Sequence, residues 1–152
     1  MRKKVLGLTV ALAIVASVGF AAKSPKVLLE TKQLKETKVI NKRGQIVKIL
    51  KDIKKVVPGD TVIYQNIVSN FEDKPLKKLV LNNKIPEHTK YVKNSAKCSV
   101  KCDVLLSNDG GRTFTKASQL KNKKPVTNVR WILLASVETN KKAVVSYATK
   151  IQ

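Results

Sequence analysis

The strongest constraint on what this chain can fold into is a period of two. Short runs rich in β-branched residues alternate with polar positions, and turn-forming residues interrupt them at brief intervals. Residues 45–50, 61–64, 77–81, 103–106, 129–133 and 143–147 read as strands on this basis. Between them stand Asn41-Lys42-Arg43-Gly44, Val57-Pro58-Gly59-Asp60, the stretch 70–75, Ile85-Pro86-Glu87 and Asn108-Asp109-Gly110-Gly111. Gly, Pro, Asn and Asp supply the backbone conformations that a reversal needs. Seven to nine short strands result, the signature of an all-β sandwich or barrel. No stretch sustains a helical stripe over three turns. Residues 34–55 can also be read as a basic amphipathic helix, but Val39-Ile40 and Ile46-Val47 favour two strands with Gly44 in the turn between them.

The N-terminus has a different character. Met1-Arg2-Lys3-Lys4 is basic, residues 5–20 are an apolar run, and Gly19-Phe20-Ala21 places small residues where a signal peptidase needs them. We read residues 1–21 as a signal peptide cleaved after Ala21 and residues 22–152 as a single domain of ordinary size. A permanent anchor needs about 20 apolar residues, whereas this run is shorter and soon meets Lys23 and Lys26. No Cys follows it to accept a lipid, and nothing near Gln152 resembles a second anchor. The expected product is soluble, without a transmembrane anchor, and exported to the periplasm, the cell surface or the medium. Cleavage removes three basic residues and no acid from a chain of net charge +21, so the domain itself carries +18.

The residues of several stretches resemble a known family. Residues 58–70, beginning Pro58-Gly59-Asp60-Thr61-Val62-Ile63-Tyr64, resemble the opening motif of the bacterial conserved-repeat domain family, domain of unknown function eleven. Ile85-Pro86 with Thr89-Lys90-Tyr91-Val92 and Ser95-Ala96 is similar to its second hallmark. Ser107 to Phe114, with Asp109-Gly110-Gly111, is similar to a hairpin of single-domain members, and Val126 to Trp131 to their penultimate strand. The resemblance spans residues 26–152 in consistent order. It implies an immunoglobulin-like β-sandwich in exported bacterial proteins, often at the cell surface, with no established activity and no catalytic residue to carry over. Two departures stand out. Asn66 occupies a position where the family has an inward apolar side chain, which predicts either a buried amide or a bulge. Glu138-Thr139-Asn140-Lys141-Lys142 replaces a Gly-bearing turn, which predicts a longer or looser loop.

In the first motif, Val62, Tyr64 and Val68 point one way and Ile63 and Ile67 the other, as in a strand buried on much of both faces. Asn70 closes it where an amide can bond the turning backbone. Tyr64 and Trp131, the largest apolar groups, belong in the core, where each contributes on the order of 2–3 kcal/mol.

Candidate chemistry is sparse. Cys98 and Cys102 enclose three residues; fully extended they would lie about 13 Å apart, against the roughly 5.5 Å Cα spacing of a disulfide. A three-residue hairpin would bring them together, and in the family frame one strand ends and the next begins there. Export permits the bridge. Free or redox-active thiols and metal ligation are the alternatives, but the spacing is not C-x-x-C, and two Cys with only His88 nearby fall short of a four-ligand site. His88 is the single histidine, and no G-x-S-x-G or H-E-x-x-H accompanies it. It is expected in the turn after Pro86. Asp52, Asp60, Asp73, Asp103 and Asp109 read as turn and strand-end acids, and the D-x-D-x-D-G calcium pattern is absent. Catalytic residues, cofactor and metal are therefore expected to be none.

Charge is the remaining signal. Lys48, Lys51, Lys54, Lys55, Lys74, Lys77, Lys78, Lys121, Lys123 and Lys124, with Lys32, Lys35, Lys38 and Lys42 before them, could form a face for a polyanion. The competing explanation is that outward strand positions must be polar and that Lys protects sheet edges. Arginines are few, aromatics too scarce for a stacking platform, and no nucleic-acid motif appears. The sequence thus points to a non-enzymatic exported structural or interaction module at the bacterial cell envelope, meeting an envelope protein. The alternative is a basic binding protein that captures an acidic polymer or envelope component, polysaccharide or lipid head groups before nucleic acid. A third reading, an exported thiol oxidoreductase, rests on Cys98 and Cys102 alone.

Overall fold

The computed structural model describes residues 26–120 and 124–152, so the signal peptide lies outside the described residues. The chain forms β1 (Val27–Ile40), β2 (Ile46–Asp52), β3 (Thr61–Asn70), β4 (Val80–Lys84), β5 (Thr89–Tyr91), β6 (Lys97–Cys98), β7 (Cys102–Ser107), β8 (Asn128–Leu133) and β9 (Lys142–Ile151). One sheet runs β2-β1-β3-β9-β5, with β6 also on β9, and the other runs β4-β8-β7. Every pairing is antiparallel. This is the expected all-β, immunoglobulin-like sandwich.

Alternation decides which side chains enter the space between the sheets. Along β3, Val62, Asn66, Val68 and Asn70 are buried on one face, with half-buried Tyr64 in the same row. Ile67 is also buried on the opposite face, whereas Ile63 there is half-buried. Ala143, Val145, Tyr147 and Thr149 form the matching row of β9, and Val129, Trp131 and Leu133 that of β8. Trp131 is fully enclosed at 0% exposure. Its ring lies 5.9 Å from that of Tyr147, which stacks on Tyr64 at 5.1 Å. Three aromatics thus join the two sheets at the centre.

Local chemistry explains the turns. Residues 34–55 are a hairpin and not a helix: Asn41 Oδ1 accepts from the N–H groups of Arg43 and Gln45, and Gly44 takes φ 74°. Gly59 at φ 93° makes the turn into β3, closed by the Asp60 N–H on the Val57 carbonyl at 3.0 Å. Asn70 Nδ2 donates to the carbonyls of Lys74 and Val137, and its Oδ1 accepts from the Glu72 N–H.

Three expectations need correction. The strand expected from Lys77 begins only at Val80, because Lys78 takes φ 55° and breaks the extended run. The 138–142 connection is tight and not loose: Asn140 adopts φ 58°, the conformation a Gly would supply, and the Lys141 N–H bonds the Glu138 carbonyl at 3.0 Å. The third concerns the cysteines and is described below. The fourteen residues of β1 extend far beyond the Val39-Ile40 pair that the sequence marked.

Candidate functional site

Asn66 is buried and satisfied without a bulge. Its Nδ2 donates to Asn83 Oδ1 at 2.6 Å and its Oδ1 accepts from Thr31 Oγ1 at 3.1 Å. The pair Asn66–Asn83 crosses from β3 to β4 and so from one sheet to the other. Beside it, burial pushes the Tyr147 phenol up to about 12, against the opposing pull of a hydrogen bond with Asn83. This polar network links the two sheets, with Asn66 buried, Asn83 half-buried and Thr31 exposed at its outer end.

Cys98 and Cys102 form the expected disulfide, with Cα atoms 6.4 Å apart. They do not flank a hairpin. Cys98 belongs to β6, paired with β9, and Cys102 to β7, paired with β8, so residues 99–101 are a crossover between sheets. The Ser99 N–H bonds the Val144 carbonyl and the N–H groups of Leu134 and Ala135 bond the Lys101 carbonyl, tying the crossover to both sides. The bridge therefore staples one sheet to the other. For so short a loop the chain-entropy model assigns it about 2 kcal/mol. Chemical denaturation of the Cys98→Ser, Cys102→Ser double variant is expected to show that loss, with unchanged strand content by circular dichroism.

The Ser107–Thr113 loop is organised around Asp109. The Ser107 hydroxyl donates to its Oδ1 at 2.7 Å and the Thr113 hydroxyl to its Oδ2 at 2.6 Å. The N–H groups of Arg112 and Thr113 also point at the carboxylate, while Gly110 and Gly111 take φ 78° and 86°. Ser107, then Thr113, and then the backbone donors hold the Asp109 carboxyl well below the usual range. Because the folded value is depressed, its contribution is present above the unfolded value of 3.8 and lost as pH falls below it. Asp109→Asn is expected to flatten the fall in thermal midpoint below about pH 4. An unaltered acid limb would place that fall in other carboxylates.

The lysines singled out from the sequence occupy separate elements. Lys48 and Lys51 lie on β2, with Lys54 and Lys55 in the connection that follows it. Lys74, Lys77 and Lys78 precede β4, in the other sheet, and Lys124 precedes β8 and lines a cavity of about 390 Å³ beside the Asp109 loop. Lys121 and Lys123 lie outside the described residues. Folding instead gathers Lys35, Lys38, Lys48 and Lys150 around a cleft that also contains Glu36 and Asp60. Lys35 binds Asp60 at 2.6 Å, which holds the Asp60 carboxyl below its ordinary value, and Lys48 binds Glu36 at 2.9 Å. Sequence reasoning missed Lys150, since only the β3–β9 pairing brings it there.

His88 is exposed in the turn after Pro86, at φ 59°. Among the described residues no group of three His, Cys, Asp or Glu side chains could hold a metal ion. No helix among them is long and apolar enough to cross a membrane.

The fold and the staple define a class: a disulfide-linked β-sandwich, of the chemistry found where thiols are not kept reduced. Comparison adds a structural likeness. A crystal structure of a protein described as membrane anchored, from Corynebacterium diphtheriae, superposes with a TM-score of 0.50 at 16% sequence identity. The match covers 85% of this chain and 29% of that one, so the chain spans under a third of its length. At that identity the likeness concerns the fold alone. No protein-family model and no curated protein matches the chain.

Proposed function

We propose that the chain is a non-enzymatic, exported interaction module of the bacterial cell envelope, of the kind its resemblance to the conserved-repeat domain family implies. One observation carries this reading: the side chains with reactive potential are consumed by architecture. Cys98 and Cys102 are joined across the sheets. Asp109 organises its own loop, and Asp60 is occupied by Lys35 and the Val57 N–H. Surface lysines spread over both sheets support solubility and edge protection more directly than a single reading face.

A second reading has one observation in its favour. The cleft of Lys35, Lys38, Lys48 and Lys150 holds four cations against two acids, an arrangement that attracts an acidic polymer. One experiment separates the two. The full chain is expressed in a bacterial host and fractionated, and the mature domain is then tested on an acidic polysaccharide, an anionic-lipid bilayer and DNA across a salt series. An unrelated basic protein of matched charge serves as control. The module reading expects export, an N-terminus at Ala22, an oxidised bridge, and binding no tighter than the control. Cytoplasmic retention with reduced thiols contradicts it. Selective binding that Lys38→Glu with Lys150→Glu abolishes would establish the capture reading instead.

A further inference from the structure

We propose that the groove between residues 77–80 and 132–136 binds a fatty acid, with its chain on an apolar floor and its carboxylate on Lys77 and Lys78. The groove forms where a ladder opens. β4 and β8 pair at Val80 and Ile132, and the two segments meet again at the bridge between Leu76 and Val137. Three residues on one side, 77–79, therefore face four on the other, 133–136. The Leu133 N–H still reaches the Leu79 carbonyl at 2.9 Å, but the N–H groups of Leu134 and Ala135 turn the other way, to the Lys101 carbonyl at 2.9 and 3.2 Å. Lys101 precedes β7 on the far side of β8, so residues 134–135 are drawn away from β4. Lys78 holds its own side off the ladder with φ 55°, a left-handed backbone that an extended strand does not accommodate. The result is a groove of about 450 Å³, within the size range of small-ligand sites.

Its floor is apolar and its charge is of one sign. Val80 and Ile132 are on the face of the smaller sheet opposite to Leu81 and Trp131, and Leu134 and Ala135 continue the floor. Val80 and Leu134 remain exposed at 50% and 52%. Lys77 and Lys78 line the same groove, and neither forms an ion pair among the described residues. Their aliphatic stems extend apolar surface while the ammonium groups stay in water. The clefts around Lys35 and beside Asp109 each include a carboxylate; this groove includes none.

An apolar floor beside two unpaired cations selects an amphiphile with one chain and an anionic head. An acidic sugar polymer would leave Val80 and Leu134 without a partner, and a neutral chain would leave the two cations without one. The carboxylate of a fatty acid fits better than the phosphoglycerol of a lysolipid. Glycerol hydroxyls need polar partners, and the one side-chain hydroxyl of the lining, on Ser136, already donates to Glu138. Neighbouring acids fix the direction of the ligand. Asp103 is the register partner of Ile132 on the β7 side, exposed and outside the lining, and Glu138 lies beyond Ser136. The head therefore sits on the β4 side with the lysines, and the chain runs over Ile132 and Leu134. This goes beyond both readings above: a monomeric fatty acid is neither a protein partner nor a polymer, so either reading can hold while this one fails.

The test is titration of the mature, oxidised chain with decanoate below its micellar concentration, at physiological salt, by calorimetry and by amide NMR shifts. One saturable site is expected, with shifts centred on residues 77–80 and 132–136. Shortening the chain is expected to weaken binding about two- to fourfold per methylene, and replacing the carboxylate, as in decanol, to weaken it about tenfold. Val80→Thr with Leu134→Ser, and separately Lys77→Gln with Lys78→Asn, are each expected to cost about tenfold in affinity; Asn suits the left-handed backbone at that position. Lys54→Gln with Lys55→Gln removes as much charge elsewhere and is expected to leave binding unchanged. All six side chains are exposed, so thermal midpoints near wild type separate lost binding from lost folding. The proposal is overturned by any of four results: no saturable binding at about 1 mM, shifts spread over lysines at large, an equal loss in the Lys54 and Lys55 variant, or tighter binding of decanoyl lysophosphatidylglycerol than of decanoate.

Discussion

Trp131→Ala is expected to lower the unfolding free energy by about 3–5 kcal/mol, a large part of the roughly 5–15 kcal/mol that a domain possesses. The ring is at 0% exposure on the inward face of β8, between Leu81 of β4 and Val104 of β7, its register neighbours. Across the sandwich it meets Tyr147, which in turn stacks on Tyr64. Removing it opens a cavity whose walls belong to two sheets, and antiparallel ladders on either side restrain their collapse. Urea unfolding followed by circular dichroism would show the loss as a lower midpoint at unchanged slope. Trp131→Phe keeps a ring between the sheets and is expected to retain most of the stability. A loss under about 1 kcal/mol for the alanine variant would mean that the sheets do not pack around this residue.

The second large effect is expected from a small polar side chain. Asn70 has 0% exposure and ties three segments together. Its amide holds the carbonyls of Lys74, in the connection to β4, and Val137, before β9, while its oxygen holds the Glu72 N–H. Its backbone is anchored as well, with the Asn70 N–H on the Lys141 carbonyl and the Asn140 N–H on the Asn70 carbonyl. Asn70→Ala removes three hydrogen bonds and leaves the Glu72 N–H and the Lys74 carbonyl without that partner, at a cost of about 2–3 kcal/mol. Asn70→Asp preserves the acceptor and loses both donors, so it is expected to fall between wild type and alanine only where the carboxyl is protonated. Midpoints for the three proteins at neutral and acidic pH check this order.

These two residues differ in how legible they were. Trp131 declares itself in the chain, as a large ring within an alternating run, and its burial follows from the period of two. Asn70 was marked as a strand-closing amide because Asn commonly bonds a turning backbone. Its bond to Val137, sixty-seven residues away, depends on how the β8–β9 connection is laid over the end of β3. β1 was underestimated for a related reason. No residue of β1 is fully buried on either face, so the alternation that reveals β3 is weak over residues 27–38.

The cysteines give the same lesson in one bridge. Proximity in sequence and the prospect of export made a disulfide the natural expectation, and the bond is present. A hairpin was the simplest way to bring Cys98 and Cys102 together, yet the chain changes sheets between them, because β6 pairs with β9 and β7 with β8. Five residues of sequence carry no signal for such a change of partner. Similarly, the spacing of lysines along the chain gives no hint that Lys150 joins Lys35, Lys38 and Lys48, which β-pairing across more than a hundred residues brings about.

By itself, the sequence determined what depends on local periodicity and local turn chemistry: the all-β class, most of the strands, the hairpin at Gly44, the turn at Pro58-Gly59 and the enclosure of Trp131. Tertiary structure alone decided which strands share a sheet, how Asn66 finds Asn83, and that the disulfide joins two sheets. The physical reason is that side-chain alternation is written in neighbouring residues, whereas strand partnership is a long-range choice governed by the burial and hydrogen bonding of the whole domain.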